Sequence, residues 1–295
     1  MKPKSSRGRF LLLAGLLAAA AARARAEAPN LGLAGYTLEQ GPLTIEGPAE
    51  NCSGLAFDRL TRTLWIAVNK PPLLLELDLA GKTLRRVELS GFDDTEDVAW
   101  VNGRILAVVE ERRRTICQFE LAPQAPSVSY AKAVRWLLDP EDAANFGPEG
   151  LAWDAAGKRF WAVKEKTRRR IYVLAPPVAK GKAPAVSAPW DVEQQSFGCG
   201  DLSGIAVHAG SGHVLLLSDE SKCVVEVTAE GREVDRLRLQ AGHAGLVRDV
   251  PQPEGIVLDD AGRLYICSEP NELYIFAPPQ AAGAAATARG ATGGR

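Results

Sequence analysis

Short apolar runs recur along this chain, and each begins with a polar residue followed by a glycine or an aspartate. The five copies are Ser53–Phe57, Glu96–Trp100, Glu149–Trp153, Ser203–Val207 and Glu254–Leu258. Consecutive copies begin 43, 53, 54 and 51 residues apart. A four-stranded propeller blade repeats at about 40–50 residues, so the spacing predicts a β-propeller.

Each repeat continues with further β-type runs. The opening run leads through a turn rich in glycine and polar residues into a second apolar run, as at Phe160–Val163. Third strands are predicted at Leu73–Leu79, Thr115–Leu121, Arg170–Leu174, Cys223–Thr228 and Glu272–Phe276. Fourth strands are visible at Thr83–Leu89 and Glu233–Leu239. The pattern predicts an all-β propeller of five blades.

Two regions outside the regular pattern affect the closure and size of the ring. The last repeat lacks a fourth strand after Phe276, and the β-type segment Tyr36–Ile45 is the strand that could close the ring. The stretch 176–200 contains several Pro and Lys residues and is interpreted as a surface connection with at most one strand. Additional strands in this stretch would make six blades, which is the alternative. We expect one domain over residues 27–279 and a disordered Ala/Gly-rich tail over 280–295.

The N-terminus is typical of an export segment. Basic residues precede the apolar run 10–22, and Ala24-Arg25-Ala26 offers a small-x-small cleavage site. Residues 1–26 therefore predict a periplasmic or secreted protein. The alternative is an uncleaved segment that anchors the protein to the cell membrane.

Composition excludes some partners and leaves the cysteine chemistry open. The chain is 46% hydrophobic and 24% charged with a formal net charge of −1, which gives no reason to expect nucleic acid as a partner. Its five cysteines form no C-x-x-C pair, so a zinc site is not predicted. One disulfide is compatible with an exported protein, but the sequence does not identify a pair.

Two sets of polar residues are predicted to form rings on one face of the propeller. The start of a first strand and the end of a second strand lie on the same face when strands alternate in direction. The first ring is Ser53, Glu96, Glu149, Ser203 and Glu254. The second ring, from alignment of the hairpins, is Asn69, Glu110, Glu165, Asp219 and Glu269. Seven of these residues are carboxylates.

Carboxylates that converge near one axis repel each other unless they are protonated, hydrogen-bonded or neutralised by a cation. Oxygen ligands favour a hard ion, and Ca²⁺ fits best because it accepts about 6–8 oxygens in flexible geometry. The candidate ligands are Glu149, Glu254, Glu96, Glu165, Asp219, Glu269 and Glu110. The alternative is a structural role, with these side chains bonded to backbone amides or to Lys70, Lys164 or Lys166.

The connection 242–253 contains a candidate catalytic group. It should lie on the acidic face, because it joins a fourth strand to the next first strand. His243, Arg248 and Asp249 offer a base, a cation and a carboxylate, which makes His243 the candidate general base. A structural loop is the alternative interpretation.

The last two repeats resemble the SdiA-regulated (YjiK-like) bacterial family and its NHL-like propellers. The matching segments are Asp201–His208 with Leu216–Ser221, and Pro251–Ile256 with Leu264–Asn271. The resemblance spans about residues 45–278. It implies a propeller, an export or membrane-directed segment, and a calcium site drawing on Glu149, Glu254 and their ring neighbours. It implies no known reaction.

Together these features predict an exported calcium-binding propeller that acts as a binding or interaction module of the bacterial envelope. Its partner would be a protein or a small molecule at the acidic face. The alternative is a calcium-dependent hydrolase, in which an axial ion polarises a lactone, ester or phosphate and a residue such as His243 acts as base.

Overall fold

A computed structural model describes residues 29–47, 50–138, 147–166, 168–177, 182–195 and 197–279. The predicted export segment, residues 1–26, and the predicted tail, 280–295, lie outside these residues, so both stay predictions. Within the described ranges, no helix is both long enough and apolar enough to cross a membrane.

Five sheets form the blades of a propeller, which confirms the predicted all-β fold. The first blade contains β2 (Cys52–Asp58), β3 (Thr63–Val68), β4 (Leu73–Leu77) and β5 (Thr83–Ser90). The second contains β6 (Thr95–Asn102), β7 (Ile105–Glu110), β8 (Thr115–Glu120) and β10 (Val134–Leu137). The short strand β9 (Ser127–Ser129) pairs in parallel with β5 and adds a fifth strand to the first blade.

The other three blades complete the ring. The third contains β11 (Pro148–Asp154), β12 (Arg159–Lys164), β13 (Arg170–Ala175) and β14 (Ala185–Ser187). The fourth contains β15 (Gly204–Val207), β16 (Val214–Ser218), β17 (Cys223–Val227) and β18 (Glu233–Arg238). The fifth contains β19 (Gln252–Leu258), β20 (Leu264–Glu269), β21 (Glu272–Ala277) and, from the N-terminal side, β1 (Thr37–Thr44).

The predicted closure by the N-terminal strand is confirmed. β1 pairs antiparallel with β21, from Thr37 opposite Ala277 to Thr44 opposite Glu272. Beyond the sheet, the backbone amide of Leu38 donates to the carbonyl of Ala244 at 2.7 Å. The first described strand therefore covers what would otherwise be the open edge of the last blade.

The stretch 176–200 completes the third blade and does not supply a sixth. It provides β14 and the short helix α1 (Val192–Gln195). Trp190, which precedes α1, packs against Trp161 of β12 with ring centroids 5.2 Å apart. The connection is therefore anchored to the face of its own blade.

The hydrophobic core consists of clusters between neighbouring blades. Trp65, Phe160 and Tyr265, each on the second strand of its blade, are almost fully buried in three different clusters. Because inner strands such as β3 and β16 are buried on both faces, they appear in the sequence as almost continuous apolar runs.

Candidate metal centre

The strand register identifies equivalent residues in the five blades. In each first strand, we call the residue that directly follows the first-ring position the axial residue. It lies opposite a residue of the second strand, as Gly54 does opposite Ala67 and Asp97 opposite Val109. The ring positions lie one residue before the axial residue and two residues after its partner. By this register the second ring is Asn69, Glu111, Glu165, Asp219 and Glu269. Four of these five match the sequence alignment, and the second blade contributes Glu111 instead of Glu110.

The acidic side chains of the two rings influence one another electrostatically. The pKa of Glu254 is raised to about 9, first by burial and then by Asp219, Glu269, Glu165 and Glu96. The pKa of Glu149 is raised well above its usual range by burial, with further contributions from Glu96, Glu111, Glu165 and Glu254. We call this group the acidic cage. Its members are Glu96, Glu149, Glu254, Glu111, Glu165, Asp219 and Glu269, together with Asp94 and Asn69.

The most compact part of the acidic cage lies at the second blade. Carboxylate oxygens of Asp94, Glu96 and Glu111 all lie within 4.8 Å of one another. Burial, followed by the charges of Asp94 and Glu111, raises the pKa of Glu96 to about 8. Such close carboxylates must share protons or a cation, because they cannot all be charged at this distance without compensation.

Asn69 links this group to the first blade. Its Nδ2 donates to Glu96 Oε1 at 2.6 Å and to Asp94 Oδ1 at 3.3 Å. Its Oδ1 atom is buried and has no hydrogen-bond partner in the described structure. A buried amide oxygen without a donor normally costs free energy, and a cation would satisfy it.

Basic side chains neutralise the rim of the cage. Lys166 Nζ lies 2.7 Å from Glu165 Oε1, Lys222 Nζ lies 2.5 Å from Asp219 Oδ1, and Arg112 Nε lies 2.9 Å from Asp94 Oδ2. Among the described residues, no hydrogen bond or ion pair joins Glu149 or Glu254 to a donor. Asp94, Glu165 and Asp219 are therefore paired with bases, while the two carboxylates of the Pro-Glu-Gly motifs have no described counterion.

The two serines of the first ring have mainly structural partners. Ser203 Oγ donates to the carbonyl of Pro253 at 2.6 Å, which joins the fourth and fifth blades. Ser53 Oγ lies 3.4 Å from the carbonyl of Asn51 and also bonds to Glu96. The ring is therefore acidic at three first-strand positions, and the two serine positions contribute hydrogen bonds.

Glu110 lies outside the cage. Its side chain is 0% exposed, and its carboxylate accepts the backbone amide of Asp93 and the guanidinium of Arg113, each at 2.7 Å. Burial raises its pKa while these two donors lower it. The geometry gives Glu110 a structural role, and its neighbour Glu111 faces the cage.

The residues of the connection 242–253 do not form a catalytic group with one another. Arg248 Nη2 pairs with Glu272 Oε1 at 2.5 Å, and Asp249 Oδ1 accepts the backbone amide of Ala241 at 2.8 Å. His243 is exposed, and the loop packs on β1 through the carbonyl of Ala244. Neither Arg248 nor Asp249 is therefore directed towards His243 as the sequence pattern suggested.

Asp97 is a buried carboxylate that the ring prediction missed. It occupies the repeat position at which the other four blades have glycine, and this substitution was the available signal. Its Oδ1 accepts the amides of Leu55 at 2.9 Å and Val98 at 2.7 Å, and its Oδ2 accepts the amide of Leu151 at 2.6 Å. Asp97 thus connects the first strands of three blades just below the cage.

Backbones of neighbouring blades approach closely at this level. A Cβ at Gly54 would overlap Asp97, and one at Gly255 would lie 2.8 Å from the backbone of Gly54. Beyond this level lies a cavity of about 210 Å³ with walls from all five first strands, among them Leu55, Leu151 and Ile256. No carboxylate of the acidic cage lines that cavity.

The fit of a hard cation to the cage rests on its donor set. The oxygens of Glu96, Glu149, Glu254, Asp94, Glu111 and Asn69 meet the preference of Ca²⁺ for carboxylate and amide ligands. The Oδ1 of Asn69, which has no hydrogen-bond partner among the described residues, adds an amide oxygen to this donor set. The arrangement can therefore hold a cation at one end of the propeller axis.

Solved structures resemble the whole fold. A luciferin-regenerating enzyme is 11% identical, with 82% of this chain and 94% of that chain covered and a TM-score of 0.51. A structural-genomics protein of unknown function from Bacteroides thetaiotaomicron is 13% identical, with 79% of this chain and 59% of that chain covered and a TM-score of 0.50. At these identities the likeness concerns the fold.

The SdiA-regulated family model matches residues 29–277, and the chain therefore belongs to the SdiA-regulated family.

Proposed function

We propose that this propeller is an exported calcium-binding module of the bacterial envelope, with the ion held in the acidic cage. The observation that carries the proposal is the position of Glu149 and Glu254. Both lie among other carboxylates, and neither has a donor or counterion among the described residues. Burial and then the neighbouring carboxylates raise the pKa of both residues, and a cation would compensate the charges of the ionised forms.

The inner ligands would be Glu96, Glu149 and Glu254, with Asp94, Glu111 and the Oδ1 of Asn69 beside them. Glu165 and Asp219 already pair with lysines and would act mainly by orienting the site. A bound calcium ion would supply positive charge and Lewis acidity at the centre of this face. The surrounding loops would then form the contact surface for a protein or small molecule.

The test is a calorimetric titration of Ca²⁺, and then Mg²⁺, into chelator-stripped protein, with thermal unfolding followed in parallel. We expect micromolar calcium binding and a raised Tm. The double variant E149Q/E254Q keeps the shape of both side chains and removes their charge, and we expect it to lose calcium affinity by at least about tenfold. The matched control is E120Q, because Glu120 is an exposed residue that pairs with Arg104 outside the cage.

Absence of calcium binding by the folded wild-type protein would overturn the metal assignment. Unchanged affinity in E149Q/E254Q would move the site elsewhere. In both cases the cage carboxylates would be structural groups that share protons.

Export is supported by the basic and apolar pattern of residues 1–26. Cell fractionation followed by N-terminal sequencing distinguishes a protein cleaved after Ala26 from one that remains anchored in the membrane. A cytoplasmic location would contradict the export proposal and leave the calcium proposal standing.

Calcium-dependent hydrolysis is the alternative function, and the same protein preparation tests it. Lactones, aryl esters and phytate are the substrate classes to assay with and without chelator. Activity that calcium restores and H243A abolishes would favour the hydrolase, and His243 would then be its base. Retained activity in H243A would exclude His243 from that role.

A further inference from the structure

Two cysteines that are 24 positions apart in the sequence lie together between the third and fourth blades. Cys199 lies in the connection between α1 and β15, and Cys223 is the first residue of β17. They are 5% and 2% exposed and belong to the same hydrophobic cluster. The thiol of Cys199 donates to the carbonyl of Phe197 at 3.5 Å, and the two sulfurs are close enough for each to shift the pKa of the other.

One arginine contacts both sides of this pair. Arg236 Nη1 lies 3.1 Å from Cys223 Sγ, and Nη2 of the same guanidinium donates to the carbonyl of Phe197 at 2.6 Å. Arg169 Nη1 donates to the carbonyl of Cys199 itself. Backbone contacts on both sides therefore hold Cys199 beside Cys223.

The environment gives the two sulfurs different reactivity. The neighbouring Cys199 thiol and the guanidinium of Arg236 lower the pKa of Cys223 against the opposing effect of burial. The neighbouring Cys223 and burial raise the pKa of Cys199, which has no guanidinium on its sulfur. A thiolate beside a guanidinium is the nucleophilic form of cysteine, so Cys223 is the sulfur that would react first.

The other three cysteines lack this arrangement, and all five lie within the described residues. Burial raises the pKa of Cys52 and Cys117 to about 12. Cys267 lies near Cys52, but its sulfur is directed at the Cys52 carbonyl oxygen, 3.8 Å away. Cys52 and Cys267 therefore provide a matched comparison of two neighbouring buried cysteines without an adjacent guanidinium.

We propose that Cys199 and Cys223 form a disulfide bond that fastens the connection between the third and fourth blades to the third strand of the fourth blade. The co-reactant is a small-molecule disulfide such as oxidised glutathione. This proposal is independent of the calcium site.

The exchange proceeds in two balanced steps. The Cys223 thiolate attacks one sulfur of oxidised glutathione, which forms a mixed disulfide and releases one glutathione thiolate. Cys199 then loses its proton to that thiolate and attacks the Cys223 sulfur, which releases the second glutathione. Two protein thiols are oxidised, and one glutathione disulfide is reduced to two thiols. Because both cysteines are buried, the first step requires displacement of the connection and is slower than at an exposed thiol.

The bond would limit the freedom of a segment that contributes to the core. The rings of Trp190 and Phe197 in this connection meet edge to face, with their centroids 5.9 Å apart. A cross-link between Cys199 and Cys223 removes conformations from the unfolded chain and keeps these rings close to the blade. Oxidation is therefore expected to raise stability.

The test is equilibration of the full-length protein with oxidised glutathione, followed by denaturation, alkylation of free thiols and peptide mass spectrometry. We expect three alkylated cysteines and one cross-linked peptide pair that joins Cys199 to Cys223. The Tm of the oxidised protein should exceed that of the reduced protein by roughly 5 °C or more. C267S should retain the cross-link, whereas C199S should lose both the cross-link and the difference in Tm.

Peptide mapping of the wild-type protein needs no variant to fold, so the proposal can fail directly. Five alkylated cysteines after equilibration, a mixed disulfide that is never resolved, or a cross-link between other cysteines would each overturn it.

Discussion

At the scale of single residues, Asp97 joins the first strands of three neighbouring blades. Its two carboxylate oxygens accept three backbone amides that belong to the first strands of the first, second and third blades. The other blades have glycine at this position, where a Cβ would lie within 3.0 Å of the backbone of a neighbouring blade.

Removal of the Asp97 carboxylate should destabilise the protein. D97A leaves the amides of Leu55 and Leu151 without partners inside the molecule, and each buried unsatisfied donor costs about 1–3 kcal/mol. We therefore expect the free energy of unfolding in urea to fall by about 2–5 kcal/mol. D260A, which removes a carboxylate from an exposed ion pair, should change it by less than about 0.5 kcal/mol. Equal stability of the two variants would show that water satisfies these amides.

The same substitution at two adjacent glutamates should change different properties: calcium affinity at Glu111 and thermal stability at Glu110. E111Q changes a cage carboxylate and should weaken calcium binding by about tenfold or more, with little loss of stability. E110Q disturbs the ion pair with Arg113 and should lower Tm while the folded protein keeps its calcium affinity. Calorimetry and thermal unfolding of both variants separate the two effects. Equal losses of affinity would contradict the register assignment.

The sequence pattern and the strand register select the same second-ring residue in four blades and adjacent residues in the second blade. The hairpin between β6 and β7 contains a bulge, at which Trp100 pairs with Leu106 and Asn102 with Ile105. A bulge changes the residue count on one strand without changing the apolar pattern. Counting from the hairpin turn therefore selects Glu110, whereas the register selects Glu111. Asp94 was also missed, because it precedes the repeat and has positive φ in a turn.

At the scale of elements, closure of the ring depends on β1 and the residue that follows it. Ile45 is 1% exposed, packs in the cluster between the fifth and first blades, and donates its amide to the carbonyl of Asn271 at 2.8 Å. Its side chain therefore contributes to the seam at which the chain closes on itself.

Truncation of Ile45 should weaken this seam. I45A removes buried methyl groups and leaves a cavity, which should lower the free energy of unfolding by about 2–4 kcal/mol. The control L84A removes a side chain of β5 that is 52% exposed and should cost less than about 1 kcal/mol. Urea denaturation of both variants provides the comparison, and similar costs would argue against a role of this seam in stability.

Strands could be predicted from the sequence where burial imposes an apolar pattern. Short edge strands that form only because they pair with a neighbouring strand could not. β3 and β16 are buried along their whole length, so their sequences are apolar except for one terminal residue each. β9 and β14 have three residues each; β14 is exposed throughout, and β9 has one buried residue. They are strands because a neighbouring edge offers hydrogen bonds, and such pairing leaves no periodicity in the sequence. For the same reason, the completion of the third blade by the stretch 176–200 could not be predicted.

At the scale of the whole molecule, the acidic cage should make stability depend on pH. Without metal, the folded-state pKa values of Glu96 and Glu254 are raised to about 8 and about 9 from an ordinary value of 4.5. Between pH 4.5 and these values the native state holds protons that the unfolded state releases. The free energy of unfolding therefore falls as pH rises through this window.

The expected result is a Tm of the chelated protein that falls by at least about 4 °C between pH 5.5 and pH 8.5. Calcium should reverse this loss, because it binds the ionised carboxylates and therefore stabilises the protein more at pH 8.5 than at pH 5.5. The variant E149Q/E254Q should show a flatter profile in chelator. A chelated wild-type protein that gains stability over this range would show that the cage carboxylates are ionised without metal.

The level formed by Asp97 and the axial glycines also determines how an ion would be exchanged. The cage lies on one side of this level, and the apolar cavity on the other shares none of its carboxylates. An ion would therefore enter and leave through the acidic face, because the cavity on the other side offers it no cage carboxylate. A partner that covered that face would slow entry and release by the same factor. The residence time of the ion would lengthen while its dissociation constant stayed the same, so the release rate would report whether the acidic face is occupied.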